Sequence, residues 1–389
     1  MAKLPIPQEI VSAATRIIYS GFPELRGSTL LQKRSDAKSN HDHIRGRLML
    51  EPRGHREMYG ALLVNETELT ATGEADIGVL FLHNGGYSTM CGHATIALGR
   101  FLVDFDAEAC PDLFPTRNLR LDEQTMTTTI KLHCPCGVVP ITVPVVNGPH
   151  GRLQSNPERP VSFINVDSYA TGIDIEITLP EAHRWPELGA RTRLTADFCY
   201  GGAFYCIVDA EQLGFDDGLK SADNMDALSR ATGSLKTALS ADPQYKPFFQ
   251  HSVEQDLGFL YGVIVRDRNR GVPAEGAAGA EVGLCFFGAQ QVDRSPCGSG
   301  SAARRALAHA KHMWPPEQKW TYHSLLSGAC GGVGGFTTHV VGKSTDGQDV
   351  PGSAGETVRV QVEGQAFYTS FATFLAEAAD GISASGFLL

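Results

Sequence analysis

One local pattern occurs in each half of this chain and limits what the chain can fold into. A strand-like apolar run is followed by a turn, a Cys-Gly pair and a helix. The first copy reads IGVLFLHNGGYSTMCGHATIALGRFLVDF, with Ile77 to Leu82 as the strand and Ala94, Leu98, Leu102 and Phe105 at helical spacing. The second reads VGLCFFGAQQVDRSPCGSGSAARRALAHAKH, where Ala302, Ala303, Ala306, Leu307 and Ala310 keep that spacing. A unit present once per half predicts a duplicated architecture in which two equivalent points, Cys91 and Cys297, face one cleft.

With 389 residues the chain is long enough for two domains, each with its own core. Further strand-like runs are Val138 to Val145, Phe204 to Val208, Phe259 to Val265 and Val358 to Val362. Most are rich in β-branched or aromatic residues and bounded by turn formers. Asn147 to Pro160 (NGPHGRLQSNPERP) has the composition of a surface connector and places a boundary near residue 155. The expected domains are residues 1 to 155, carrying Cys91, and 156 to 364, carrying Cys297, with residues 365 to 389 free to pack back on the first. Asp267 to Ala280 and Gly342 to Gly355 read as surface insertions without chemistry.

Composition excludes several functions. No apolar run approaches the roughly 18 residues of a membrane helix. A formal net charge of −10 gives no global attraction for nucleic acid or anionic lipid, so an anionic substrate needs a local positive site. The stretch MAKLPIPQEIVSAATRIIYSG lacks the apolar core of about 7 to 15 residues of a secretory signal, and a cytoplasmic protein is expected. The nine cysteines, irregularly spaced, are expected to be reduced and mostly to serve as small buried hydrophobes.

Two of them have another use. A thiol is a weak base at neutral pH, but the positive end of a helix and its free N–H groups favour the thiolate. The glycines after each Cys (Gly92; Gly298 and Gly300) leave the turn open, so the same N–H groups can hold a carboxylate. A single Cys at a helix start is more often a packed residue than a base. Two in parallel contexts shift the balance. An ionised and a protonated thiol on opposite faces of a carbon can remove a proton from one side and return one on the other. That is the chemistry of a two-base racemase or epimerase, which has no electron sink and relies on excluded water and helix N–H donors.

At these motifs the sequence closely resembles the proline racemase family, in Met90-Cys91-Gly92-His93 and in Asp293-Arg294-Ser295-Pro296-Cys297-Gly298-Ser299-Gly300. EPRGHREMYGA from Glu51, YGGAFYCIVDA from Tyr200 and the terminal GFLL extend the resemblance over nearly the whole chain. It implies an α/β (α+β), diaminopimelate-epimerase-like fold: two pseudo-symmetric domains, each a curled β-sheet around a central helix, with the active site in the cleft between them. Carried over position by position, it implies Cys91 and Cys297 as the bases. His93 and Asp293 would contact the ring amine, the backbone of Gly92, Gly298 and Ser299 the carboxylate, and Tyr59 and Phe287 would wall the ring. The ligand implied is proline or a hydroxyproline, with no cofactor and no metal; a monomer and a homodimer are both open.

Members of the family divide into proline racemases, hydroxyproline epimerases and trans-3-hydroxy-L-proline dehydratases. RLMLEPRGHREMYGALLV, GVLFLHNGGYSTMCGHATIALGRF, HCPCG and YGGAFY look most like the eukaryotic dehydratase, which typically has Thr where this chain has Cys297. Site chemistry favours racemase or epimerase, because inversion requires a proton donor on the second face. Dehydration to pyrroline-2-carboxylate is the alternative. A non-catalytic imino-acid-binding descendant is a third reading: ahead of the first strand the chain reads PQEIVSAATRIIYSG, where the family has a block like HTGGEP.

Three other clusters carry less. His133, Cys134 and Cys136 are too tightly spaced for the usual zinc knuckle and read as a packed strand edge. His55 with Arg53 and Arg56 reads equally as an anion patch or as a turn fixed by Gly54. Gly331 to Gly335 lacks the Lys-Ser or Lys-Thr of a phosphate loop.

Overall fold

The strand Ile77–His83 is buried at every position, so it needs cover on both faces. The chain supplies that cover with one helix layer on each side. In this computed structural model residues 9–10, 13–105, 119–148, 151–220, 224–344, 347–377, 379–382 and 384–388 are described. Half of the divergent block PQEIVSAA ahead of TRIIYSG, and Cys110, lie outside the described residues. The chain divides into two units, Met1–Ile164 with Glu363–Leu389, and Asn165–Val362.

In the first unit Ala13–Ile18 runs parallel to Tyr59–Val64, which pairs antiparallel with Ile77–His83. Ile77–His83 pairs antiparallel with the short Gly86–Ser88 and parallel with Thr127–Cys134, and the latter turns back into Gly137–Asn147. A parallel pair needs a crossover, and the helices Leu30–Asn40 and Asp42–Met49 occupy the one between the first two strands. Their apolar residues Leu30, Ala37, Leu48 and Met49 pack with Ile18, Leu62, Val64, Leu80 and Leu82. Since strand side chains alternate, Ala61, Leu63, Val79 and Phe81 point to the other face. The helix Gly92–Asp104 is buried from Gly92 through Val103. It seats so closely that a β-carbon on Gly99 would lie 2.7 Å from the Ile141 side chain and 3.1 Å from Val143 and Val161.

The second unit repeats this order. Phe204–Asp209 runs parallel to Leu260–Asp267, then come Ala280–Phe287 antiparallel, the short Gln291–Val292, a buried helix, Trp320–His323 parallel and Phe336–Lys343 antiparallel. Here the crossover helix is Met225–Ala241, whose Leu228, Ala231, Leu235 and Leu239 join Val263, Val265, Leu284 and Phe286 in one core. The buried helix is Gly298–Ala310. Each unit is therefore a curled set of strands around a central helix, and each central helix follows directly on a Cys.

The polar stretch from Asn147 contains the arm of a hairpin, with Val145 opposite Ser155 and Asn147 opposite Leu153. Val161–Ile164 then pairs back on Gly137–Asn147, and the change of unit falls at Ile164. The C-terminal segment returns to the first unit. Tyr368 donates to Asp104 at 2.6 Å, Arg53 donates to the Leu375 carbonyl at 2.8 Å, and Glu51 and Phe387 exchange two backbone hydrogen bonds of 3.0 Å. Among the described residues no helix is long and apolar enough to cross a membrane.

The second central helix approaches the backbone of Gly201, where a β-carbon would lie 2.2 Å from the Ser299 carbonyl oxygen and 2.8 Å from the Ala303 nitrogen. Backbone atoms cannot swing aside as side-chain ends can. We expect Gly201→Ala to destabilise the second unit by about 3 kcal/mol, read as a lower urea midpoint at unchanged slope.

Candidate active site

Cys91 is the residue before the first central helix, in extended conformation with φ −146° and ψ 108°. Its carbonyl is held by the backbone N–H and the hydroxyl of Thr95, at 3.0 and 2.8 Å. The thiol itself does not cap the helix. It lies 3.4 Å from His93 Nδ1 and 3.5 Å from Nε2, within hydrogen-bond reach of either ring nitrogen. Tyr59 packs edge-on against the His93 ring, with centroids 4.9 Å apart, and its hydroxyl hydrogen-bonds that of Ser88. Cys91 is 5% exposed. A thiol, an imidazole and a phenol ring thus converge where the first N–H groups of a helix have no intrahelical acceptor.

Cys297 holds the equivalent place before the second central helix and is also 5% exposed. Its backbone differs: φ is 62° and ψ 98°, a region that residues with a β-carbon seldom enter. A ladder of short contacts fixes it there. Asp293 accepts from the N–H and the hydroxyl of Ser295, at 2.8 and 2.7 Å, and Ser295 Oγ accepts from the Cys297 N–H at 3.2 Å. The Cys297 carbonyl accepts from Ser301 N–H at 2.6 Å. The thiol meets the Tyr205 hydroxyl at 3.5 Å, and that hydroxyl is 2.7 Å from Ser299 Oγ. Gly300 makes room for the sulfur, since a β-carbon there would stand 3.0 Å from Sγ and 2.7 Å from Ile264. Gly300→Ala is expected to cost less stability than Gly201→Ala, because the contacts are side-chain ends, while displacing the thiol. A fall of about tenfold in turnover with little change of melting temperature would show it.

The residues expected from the sequence fall into two local groups. Tyr59, Cys91, Gly92 and His93 gather in the first unit. Asp293, Cys297, Gly298 and Ser299 gather in the second. Phe287 stacks on Tyr261 with centroids 5.5 Å apart, and Lys236 secures that wall by donating to the carbonyls of Tyr261 and Gly288 at 2.8 and 3.0 Å. Burial lowers the Lys236 amine to about 8. Tyr205, Ser295, Ser88 and Lys236 were not foreseen. Tyr205, Ser295 and Ser88 lie within the motif runs YGGAFYC, DRSPCGSG and GYSTMCGH, whereas Lys236 lies in none.

The His133 and His55 clusters take up places in local structure. His133 Nδ1 is 2.9 Å from Thr67 Oγ1, Cys134 is buried, and the run forms the tip of the hairpin that pairs Cys134 with Gly137. Burial lowers the His133 ring below its ordinary value. His55 Nδ1 accepts from the Glu57 N–H in a turn where a β-carbon on Gly54 would strike the Met49 carbonyl. The eight described cysteines are all free thiols.

The family described as Proline racemase matches residues 10–388. The trans-3-hydroxy-L-proline dehydratase of Homo sapiens is 39% identical over 376 residues, covering 96% of this chain and 91% of that protein. A trans-3-hydroxy-L-proline dehydratase of Colwellia psychrerythraea is 33% identical over 312 residues, covering 80% and 75%. Among solved structures, a hydroxyproline epimerase of Agrobacterium vitis with bound trans-4-hydroxy-L-proline superimposes with a TM-score of 0.74 at 21% identity, covering all of this chain and 95% of that one. A probable proline racemase of Agrobacterium radiobacter gives 0.76 at 21%, covering 100% and 97%. At that identity the structures speak for the shared fold. The family match over almost the full length, and relatives above 30% identity, show that this chain belongs to the proline racemase family of isomerases and dehydratases.

Proposed function

We propose that this chain is a cofactor-independent racemase or 2-epimerase of proline or a hydroxyproline. Cys91 removes the α-proton and Cys297 returns one to the opposite face. The observation that carries this reading is a buried thiol at the start of each central helix, each beside a polar partner: His93 at 3.4 Å for Cys91 and Tyr205 at 3.5 Å for Cys297. In this reading the substrate carboxylate takes the helix N–H groups of Gly92, Gly298 and Ser299. His93 and Asp293 meet the ring amine, and Tyr59 and Phe287 flank the ring. Helix N–H donors and exclusion of water stabilise the enediolate-like state, each donor contributing about 3 kcal/mol.

A second reading is favoured by the 39% identity with the human dehydratase. Cys91 takes the α-proton of trans-3-hydroxy-L-proline, the C2–C3 double bond forms, and the 3-hydroxyl leaves as water after taking up a proton. The enamine then tautomerises to pyrroline-2-carboxylate. One experiment separates the readings. The protein is incubated with trans-3-hydroxy-L-proline, and in parallel with L-proline, in deuterated water and followed by NMR. A 2-epimer carrying deuterium at Cα is expected. Pyrroline-2-carboxylate as the product instead overturns epimerisation in favour of dehydration. Ligand-induced thermal stabilisation with neither product overturns both and leaves a binding protein.

A further inference from the structure

The two thiols have different supports, and the support of Cys297 was not read from the sequence. Tyr205 sits on the strand Phe204–Asp209 with no exposed surface, its ring fixed edge-on by Tyr261 at 5.9 Å and 82°. Its hydroxyl stands between two groups, Cys297 Sγ at 3.5 Å and Ser299 Oγ at 2.7 Å; from the strand Ala280–Phe287 the buried Cys285 thiol, whose ionisation is pushed well up by burial and by its hydrogen bond to Cys297, faces the same sulfur. A hydroxyl has one proton to give and lone pairs to receive. With Cys297 protonated, the thiol donates to Tyr205 and Tyr205 donates to Ser299. With Cys297 ionised, the order reverses: Ser299 donates to Tyr205 and Tyr205 donates to the sulfur. In both states one hydrogen bond joins each pair of neighbours in the row, which matters for groups this deeply buried.

We infer that Tyr205 is a positioning residue of Cys297: its hydroxyl stabilises the thiolate by donating to it, with Ser299 completing the row. The inference rests on the reading of Cys297 as the second acid/base thiol. Burial, then the neighbouring Cys297, hold the Tyr205 phenol well above its ordinary ionisation, so it serves as a neutral donor and not as a base. Cys91 is supported in another way, by the imidazole of His93. The structural duplication therefore does not extend to the groups that hold the two thiols.

Tyr205→Phe tests this, since it keeps the ring and removes only the hydroxyl. In protein labelled with 13C at cysteine Cβ, the ionisation of each thiol is followed by NMR as pH is raised, with Cys297 assigned from Cys297→Ser. Loss of a hydrogen bond to a charged group predicts that the Cys297 thiolate fraction at a given pH falls about tenfold, while Cys91 is unchanged. Ser299→Ala, which leaves Tyr205 in place, should shift Cys297 in the same direction by less. Unchanged Cys297 ionisation in both variants overturns the inference. The readout needs no turnover. A shifted Cys297 in a protein whose parent converts no proline refutes the proposed reaction alone, and an unshifted Cys297 with normal conversion refutes Tyr205 alone.

Discussion

Cys91→Ala lowers exchange of the α-proton of L-proline and of the hydroxy-L-prolines with solvent by about a thousandfold. The effect is expected to be the same whether inversion or loss of water follows, because both begin with removal of that proton. Cys91→Ser should recover little, since a hydroxyl at a helix start remains protonated at neutral pH where a thiol ionises. The fold should barely notice either change. The Cys91 thiol makes no capping hydrogen bond to its helix, and the helix start is held through the Cys91 carbonyl, which accepts from Thr95. Loss of the Cα proton signal in deuterated water measures the rate, and a melting curve checks the fold. Exchange within tenfold of the parent would remove Cys91 from the base position.

How much of this was legible in the sequence depended on whether the information was local. The strand, the Cys-Gly and the helix after it are neighbours in the chain, so periodicity and glycine placement revealed both copies. The rest of the duplication rests on pairings between distant segments, such as Thr15 with Tyr59 and Phe204 with Leu260. The crossovers that join those strands differ, two short helices in one unit and one long helix in the other, so no periodic signal marks them. Turn-forming composition from Asn147 gives that stretch the look of a surface connector. Composition reports that a chain can turn but not what it pairs with, and Val145 opposite Ser155 keeps this stretch in the first unit.

Charge inside the second central helix was hidden for a similar reason. The apolar spacing of Ala302, Ala303, Ala306 and Leu307 found the helix, yet Arg304 and Arg305 are buried as well. Arg304 donates to Glu281 at 2.6 and 2.8 Å, and Arg305 donates to the carbonyls of Pro315 and Pro316 at 2.8 and 3.0 Å. Partners supplied by other segments make such burial tolerable, and no local pattern announces them. The backbone of Cys297 is a further case. Nothing in SPCGSG says that the Cys, and not a glycine beside it, takes the positive φ.

That backbone decides how the second thiol must be tested. Cys297→Ser is expected to slow inversion by about a hundredfold or more, while exchange of the α-proton by Cys91 and any loss of water from trans-3-hydroxy-L-proline persist. Cys297→Thr should show the same split, but a β-branched residue at φ 62° adds strain of about 1 to 3 kcal/mol, so its lower activity mixes chemistry with stability. Ser avoids this because its β-carbon is unbranched. Cys297→Gly makes the opposite case: glycine accepts the positive φ without strain, so stability should rise by about 1 kcal/mol while inversion is lost. Stability and inversion moving in opposite directions at one position would mean that strain is maintained for the sake of the thiol. Inversion that survives all three changes would sink the two-thiol assignment. Inversion and exchange falling together would place both thiols on a single step.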